Sequence, residues 1–174
     1  LEDVTVTVGE NLSEDGERII TARAADLMDA NFGDLSVMLI ENPAAVNPFE
    51  RIRDDHFIRG KTPMTKEPIR TLSVSALEIN PSDTVADIGA GTGAVSIEMA
   101  RRAHRGTVYA IEREANAVAL IRKNIKKFGA HNIVVIEGSA PESLEALPPV
   151  QKAFIGGSGG NLSGIVASLL AKNK

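Results

Sequence analysis

Nine residues from Val85 to Gly93, Val-Ala-Asp-Ile-Gly-Ala-Gly-Thr-Gly, constrain this chain more than any other stretch. A short apolar run ends in three glycines at alternate positions, and a segment with helical period follows at once. The pattern predicts a strand, a tight turn and a helix start. Glycine belongs at such a turn because the backbone must enter dihedral regions that a Cβ forbids, and because a bound group can then come close to the main chain. The N–H groups that open the following helix have no partners within it, which suits a polar or anionic ligand.

Spacing alone leaves the ligand open. Gly89, Gly91 and Ala94 satisfy the dinucleotide pattern G-x-G-x-x-G/A, so a nicotinamide-dependent oxidoreductase is one reading. The next strand expected, Thr107 to Ile111, ends in Glu112, whose carboxylate could accept bonds from both ribose hydroxyls. An acid at that place suits NAD and S-adenosylmethionine equally. Asp87 discriminates better: the run D-x-G-x-G-x-G that it opens resembles the first motif of S-adenosylmethionine-dependent methyltransferases.

With 174 residues, 43% of them hydrophobic, the chain has material for one domain with a real core, or one domain plus a fragment. Nineteen Lys and Arg against 23 Asp and Glu give a net charge of -4. That balance argues against a general nucleic-acid-binding surface and favours a small-molecule partner. Without cysteine there is no disulfide, thiolate ligand or thiol nucleophile, and His56, His104 and His131 lack metal-ligand spacing, so no metal is expected. No signal peptide or membrane span is recognisable, which suits a cytoplasmic protein. The opening on Leu1 rather than Met suggests a trimmed piece.

Val4, Val6 and Val8 alternate with Thr5 and Thr7, predicting a strand that runs into a polar connection over Asn11 to Glu17. Thr21 is placed to cap a short helix through Ala30, and Leu35 to Ile40 reads as a second strand. Pro43 to Pro48 reads as a linker. Between Arg51 and Arg70 six basic residues, Arg51, Arg53, Arg59, Lys61, Lys66 and Arg70, outnumber Asp54, Asp55 and Glu67. Such a run is either an ordinary solvated face or a rim that attracts a polyanionic substrate. Thr65 is a good N-cap for a helix whose inward face would carry Ile69, Leu72, Ala76 and Leu77.

Helices are predicted over Ala94 to Arg102 and over Ala115 to Phe128, the second with Val118, Ile121, Ile125 and Phe128 inward and Gly129 as its stop. Further strands are expected at Ile133 to Ile136 and Lys152 to Ile155, with a helical turn at Glu142 to Ala146 between them. A last helix is capped by Asn161, with Ile165, Val166, Leu169 and Leu170 inward. Strands alternating with helices imply a parallel sheet with helices on both faces, whose ligands bind at the carboxyl ends of the strands. The glycine turn, Glu112, Gly138-Ser139-Ala140 and Gly156-Gly157-Ser158 all sit at such ends, so they should share one crevice.

Three more stretches narrow the family: Phe57-Ile58-Arg59-Gly60-Lys61-Thr62-Pro63-Met64-Thr65-Lys66-Glu67, Tyr109-Ala110-Ile111-Glu112-Arg113, and Phe154-Ile155-Gly156-Gly157-Ser158-Gly159-Gly160. Together with the glycine turn they resemble the precorrin C-15 methyltransferases of cobalamin biosynthesis, the CbiT type, from about Pro48 onward. Residues 6–40, with Val8-Gly9-Glu10-Asn11-Leu12 and Glu17-Arg18-Ile19, resemble the closing part of the CbiE type, a tetrapyrrole methylase fused ahead of the CbiT type in many proteins. The resemblance therefore implies two pieces. Residues 1–45 would be a CbiE-type tail and 46–174 a CbiT-type domain with the α/β, Rossmann-like class I methyltransferase fold.

It also implies a function: S-adenosylmethionine-dependent methylation of a precorrin or cobalt-precorrin at C-15, with loss of carbon dioxide from the C-12 acetate. The cofactor-binding residues implied are Thr65, Asp87, Gly89, Ala90, Gly91, Thr92, Gly93, Glu112, Ser139 and Ala140. Ser139 stands where the family often has Asp, so in place of a carboxylate contact to the adenine amino group only a weak bond from Ser139 is expected. Candidates for the substrate's carboxylates are Arg59, Lys61 and Lys66, with Gly157 and Ser158 nearby; no catalytic base is visible. Only four strands of the usual seven are found after the linker, so the domain is expected to be cut short after the fourth strand and its helix. Its open edge strand predicts association into a homo-oligomer. A non-catalytic fragment that binds cofactor or a partner chain is the rival reading.

Overall fold

The computed structural model describes residues 4–41 and 51–172. The expected linker, 43–48, lies outside the described residues. The chain divides into two compact units, Leu1–Asn47 and Pro48–Lys174.

The first unit is a three-stranded antiparallel sheet in the order β2-β1-β3, built from β1 (Thr5–Glu10), β2 (Arg18–Arg23) and β3 (Ser36–Glu41). The alternation that predicts β1 works as expected, with Val4, Val6 and Val8 buried against Ala24, Leu27 and Phe32. The helix expected from Thr21 is not there. Thr21 lies inside β2, opposite Thr7, and only a 3-10 turn, Ala24–Leu27, follows. The run Ile19-Ile20-Thr21 is β-branched throughout, and pairing with β1 gives it ladder partners that an isolated helical turn would lack.

The second unit is a four-stranded parallel sheet in the order β6-β5-β4-β7: β4 (Thr84–Ile88), β5 (Thr107–Glu112), β6 (Ile133–Glu137) and β7 (Lys152–Ile155). The alternation along β4 decides what each face holds. Val85 joins one core with Val74, Ile97, Met99 and Ile121, under α1 (Glu67–Ala76), α2 (Ala94–Arg102) and α3 (Ala115–Phe128). Ala86 and Ile88 join the other with Leu144, Leu147, Ile165 and Leu169, under α4 (Leu162–Lys172) and the 3-10 turn Glu142–Leu144. The helices therefore cover both faces, as a parallel sheet requires. α2 and α3 begin and end where the sequence places them, and Gly129 takes the left-handed conformation (φ 62°) that stops α3.

α1 corrects two expectations. Its N-cap is Lys66, with no side-chain cap, and Thr65 lies one residue earlier. Its buried positions are Arg70 and Val74, while Ile69 and Leu72 are 59% and 68% exposed and only Leu77 of the expected face packs on the core. The cause is Arg70. Its Nε donates to Glu98 (2.6 Å), its Nη1 to Asp54 (2.8 Å) and the Thr65 carbonyl (2.7 Å), and its Nη2 to the Ile52 carbonyl (2.5 Å). The guanidinium also lies 4.8 Å from the Phe57 ring centroid. A cation with four of its five N–H donors bonded takes the inward face, and the helix turns its apolar pair outward. Burial by itself would raise the Asp54 carboxyl, but the hydrogen bond and charge of Arg70 outweigh it and hold it below the usual range. α4 behaves similarly: Asn161 accepts from the Gly164 N–H (3.2 Å) as a cap should, but only Ile165 and Leu169 are buried, with Val166 and Leu170 exposed.

Candidate functional site

The carboxyl ends of the four parallel strands are tied to one another through main-chain bonds. The N–H groups of Gly89 and Ala90 both donate to the Ile111 carbonyl (2.9 and 3.0 Å), those of Gly156 and Gly157 to the Ile88 carbonyl (2.8 and 3.2 Å), and that of Gly138 to the Glu112 carbonyl (2.9 Å). This joins the turns after β4, β5, β6 and β7 around one cleft of about 1140 Å³. The expected convergence of the four features in one crevice is what the structure shows.

Gly89 and Gly91 need to be glycine for stated reasons. Gly89 has φ 72°, and a Cβ there would sit 2.7–2.9 Å from the backbone of Gly157. Gly91 has φ 58°, and its Cβ would lie 3.0 Å from the Pro63 carbonyl oxygen. The turn is thus packed main chain to main chain against the loop after β7 and against the segment ahead of α1. Ala94 and Val95, in the first turn of α2, line the cleft, and no side chain caps that helix.

Of the residues singled out for the cofactor, Thr65, Gly89, Ala90, Gly91, Thr92, Glu112, Ser139 and Ala140 all line the cleft. Asp87 and Gly93 are not among the lining residues; they lie in the turn's framework, Gly93 ahead of α2 with φ 77°. Among the substrate candidates Lys61, Gly157 and Ser158 line the main cleft. Arg59 and Lys66 line an adjoining recess of about 770 Å³ that shares Gly60, Thr62, Pro63 and Met64 with it. The other three basic residues of that run are engaged elsewhere: Arg70 is buried, Arg51 pairs with Glu67 and Arg53 with Asp55.

Glu112, 8% exposed, organises the turn as well as lining the cleft. Its Oε2 accepts from the Gly91 N–H (2.8 Å) and its Oε1 from the N–H groups of Arg113 (2.9 Å) and Glu114 (3.0 Å). An ionised carboxylate has about four lone-pair sites, so roughly one stays available to a ligand. Asp87 lies on the same face of β4 as Val85, and the Ser96 hydroxyl donates to its Oδ2. Its Oδ1 has no hydrogen-bond partner. Burial pushes the Asp87 carboxyl up to about 6; hydrogen bonds from Ser96 oppose the shift and the charge of Glu112 adds to it.

Because the folded-state value is raised, Asp87 contributes most to stability where both states are protonated, below its ordinary value of 3.8. That contribution is lost as pH climbs toward 6. Asp87→Asn keeps the shape and an acceptor for Ser96. The melting temperature of the variant minus that of the wild type should therefore rise between pH 4 and pH 6.5 and level off above. A flat difference across that range would show that Asp87 ionises in the fold as it does in water.

Buried polar residues escaped the sequence reading, Ser96 and Asn124 among them. Asn124 on α3 is fully buried; its Oδ1 accepts from the Ile58 N–H (2.8 Å) and its Nδ2 donates to the carbonyls of Ile58 (3.1 Å) and Thr92 (2.9 Å). The only signal available was a polar residue three places after Ile121 on an otherwise apolar face.

Residues 55–174 match the family described as "Precorrin methyltransferase domain". A probable cobalt-precorrin-6B C(15)-methyltransferase (decarboxylating) of Sulfolobus acidocaldarius is 46% identical over 110 residues, covering 62% of this chain and 57% of that protein. The cobalt-precorrin-6B C(15)-methyltransferase (decarboxylating) of Salmonella typhimurium is 40% identical over 116 residues, 66% of this chain and 59% of that protein. The crystal structure of precorrin-6y C5,15-methyltransferase from Geobacter metallireducens superposes with a TM-score of 0.68 at 39% identity, covering 71% of this chain and 65% of that one. The chain spans somewhat under three-fifths of the length of the two curated relatives. The second unit has the Rossmann-like class I S-adenosylmethionine-dependent methyltransferase fold of these structures.

Proposed function

The chain belongs to the precorrin methyltransferase domain family, and on that premise we propose that residues 46–174 form the cofactor-binding part of a CbiT-type enzyme. Residues 1–45 then correspond to the end of a CbiE-type methylase. The reaction is methylation of a precorrin or cobalt-precorrin at C-15, with loss of carbon dioxide from the C-12 acetate, in the cytoplasm. The observation that carries the reading is the meeting of the Asp87–Gly93 turn, the Gly157 loop and the Glu112 carboxylate around one cleft.

The residues present fit S-adenosylmethionine. The glycine turn, packed without Cβ atoms against Gly157 and Pro63, presents main chain to the cleft, and Glu112 keeps a lone-pair site for a ribose hydroxyl. Thr65, Ser139 and Ala140 supply the remaining wall. When bound, S-adenosylmethionine supplies a methyl group already activated on a sulfonium. The chain's own task is then alignment. Glu112 and the glycine turn hold the cofactor side, while Lys61, with Arg59 and Lys66 in the adjoining recess, offers cations to a substrate rich in carboxylates. No group on the cleft wall is required to act as a strong base toward an electron-rich bridging carbon.

Calorimetric titration with S-adenosylhomocysteine and with NAD tests this. Saturable binding of S-adenosylhomocysteine with no response to NAD is expected. Tight NAD binding without S-adenosylhomocysteine binding would overturn the methyltransferase reading in favour of the dinucleotide pattern that Gly89, Gly91 and Ala94 also satisfy.

A further inference from the structure

The cleft has two kinds of wall. The turn over Gly89–Thr92 belongs to the sheet, whereas residues 57–66 belong to an irregular segment ahead of α1 that has no strand or helix of its own. Everything assigned to the substrate on that side, Arg59, Lys61 and Lys66, rides on the irregular segment. Apart from the close approach of the Pro63 carbonyl to Gly91, its position relative to the turn is set by side chains.

Phe57 anchors its start in the core against Phe128, and two buried polar side chains bond its backbone. Arg70 holds the C-terminal end through the Thr65 carbonyl. Asn124 holds the N-terminal end, and it alone of the two also reaches the glycine turn, with both polar groups of Ile58 and the Thr92 carbonyl on one amide. We propose that Asn124 is a positioning residue that fixes the spacing between the substrate-bearing segment and the cofactor-bearing turn. The proposal rests on the methyltransferase reading above for what each wall holds.

The turn does not need Asn124 for its own shape. Glu112 holds the Gly91 N–H, the Ile111 carbonyl holds Gly89 and Ala90, and the Gly93 N–H closes onto the Ala90 carbonyl at 2.8 Å. Removing the amide should leave the cofactor wall nearly intact and free the other wall to drift. Methyl transfer is sensitive to such drift, since a misplacement of ~1 Å can cost on the order of 10²-fold in rate. A residue that merely satisfied buried carbonyls would behave otherwise: its loss would lower the melting temperature and leave the folded molecules as active as before.

The test compares Asn124→Ala with Val118→Ala in the full-length protein. Val118 is a buried residue of the same helix without a side-chain polar group. In Asn124→Ala, amide hydrogen exchange at residues 58–65 should speed up at least about tenfold relative to the turn amides. The S-adenosylhomocysteine Kd should stay within about threefold of wild type, and kcat on a cobalt-precorrin or precorrin substrate should fall by about 10- to 100-fold. Val118→Ala should lower the melting temperature without the selective exchange or the kcat loss. If Asn124→Ala does not fold, Asn124→Thr, which keeps nearly the volume but offers one donor where the amide bonds two carbonyls, gives the same readouts. Exchange that rises uniformly across the second unit, or an unchanged kcat in the folded variant, would overturn the proposal. A wild-type protein that binds no S-adenosylhomocysteine would instead bring down the functional reading, and the exchange measurement would still decide whether Asn124 holds the segment.

Discussion

Gly89→Ala is expected to lower the melting temperature by roughly 10 °C and to weaken S-adenosylhomocysteine binding by more than about 100-fold, beyond what loss of folded protein explains. Two penalties combine at one atom. At φ 72° an L side chain is strained by about 1 kcal/mol. The added methyl also meets Gly157 N, O and Cα at 2.7, 2.8 and 2.9 Å, and because these are backbone atoms no rotamer change can relieve the contact. Overpacking of that kind typically costs ~1–3 kcal/mol. Relief requires the turn after β4 and the loop after β7 to separate, which would pull Gly156 and Gly157 from the Ile88 carbonyl and open the floor of the cleft. Differential scanning calorimetry and titration of the same sample separate the two effects. Wild-type affinity in a folded Gly89→Ala protein would mean that the cleft is not where the cofactor sits.

What could be read from the sequence was whatever local backbone geometry dictates. The glycine turn is legible because the need for φ above zero is written into single residues, and α3 is legible because four apolar residues at helical spacing and a terminal glycine agree with each other. Arg70 and Asn124 are not legible, for one shared reason. A charged or amide side chain on an inward face becomes favourable only when distant groups arrive to satisfy it, here Asp54, Glu98 and two carbonyls for Arg70, and Ile58 and Thr92 for Asn124. Periodicity treats Arg70 as surface and so assigns α1 the wrong face. The same error made Arg70 part of a basic rim, when it is an internal brace for the segment that carries the remaining cations. β2 was missed because a short β-branched run reads as strand only once β1 is known to lie beside it.

Glu112 joins the two levels, and its replacement is the other large expected effect. Read from the sequence, Glu112→Ala should weaken cofactor binding far more than folding. The structure adds a folding role, since three main-chain N–H groups end on this carboxylate and one of them belongs to Gly91 in the glycine turn. Alanine would leave these N–H groups, partly buried, without their acceptor, so Glu112→Ala should lose both stability and affinity. Glu112→Gln separates the roles. It keeps the volume and one carbonyl oxygen, which can serve either Gly91 or the Arg113 and Glu114 pair, while its NH2 group must face the N–H groups on the other side. A charge-assisted bond is worth ~1.5–3 kcal/mol, so a weakening of S-adenosylhomocysteine binding by about 10- to 100-fold is expected for Gln, with a smaller drop in melting temperature than for Ala. Normal affinity in both variants would remove Glu112 from the cofactor site and leave it as the brace of the turn. Normal stability with lost affinity would show that the bonds to Gly91, Arg113 and Glu114 matter little to the fold, and that the carboxylate is there for the ligand.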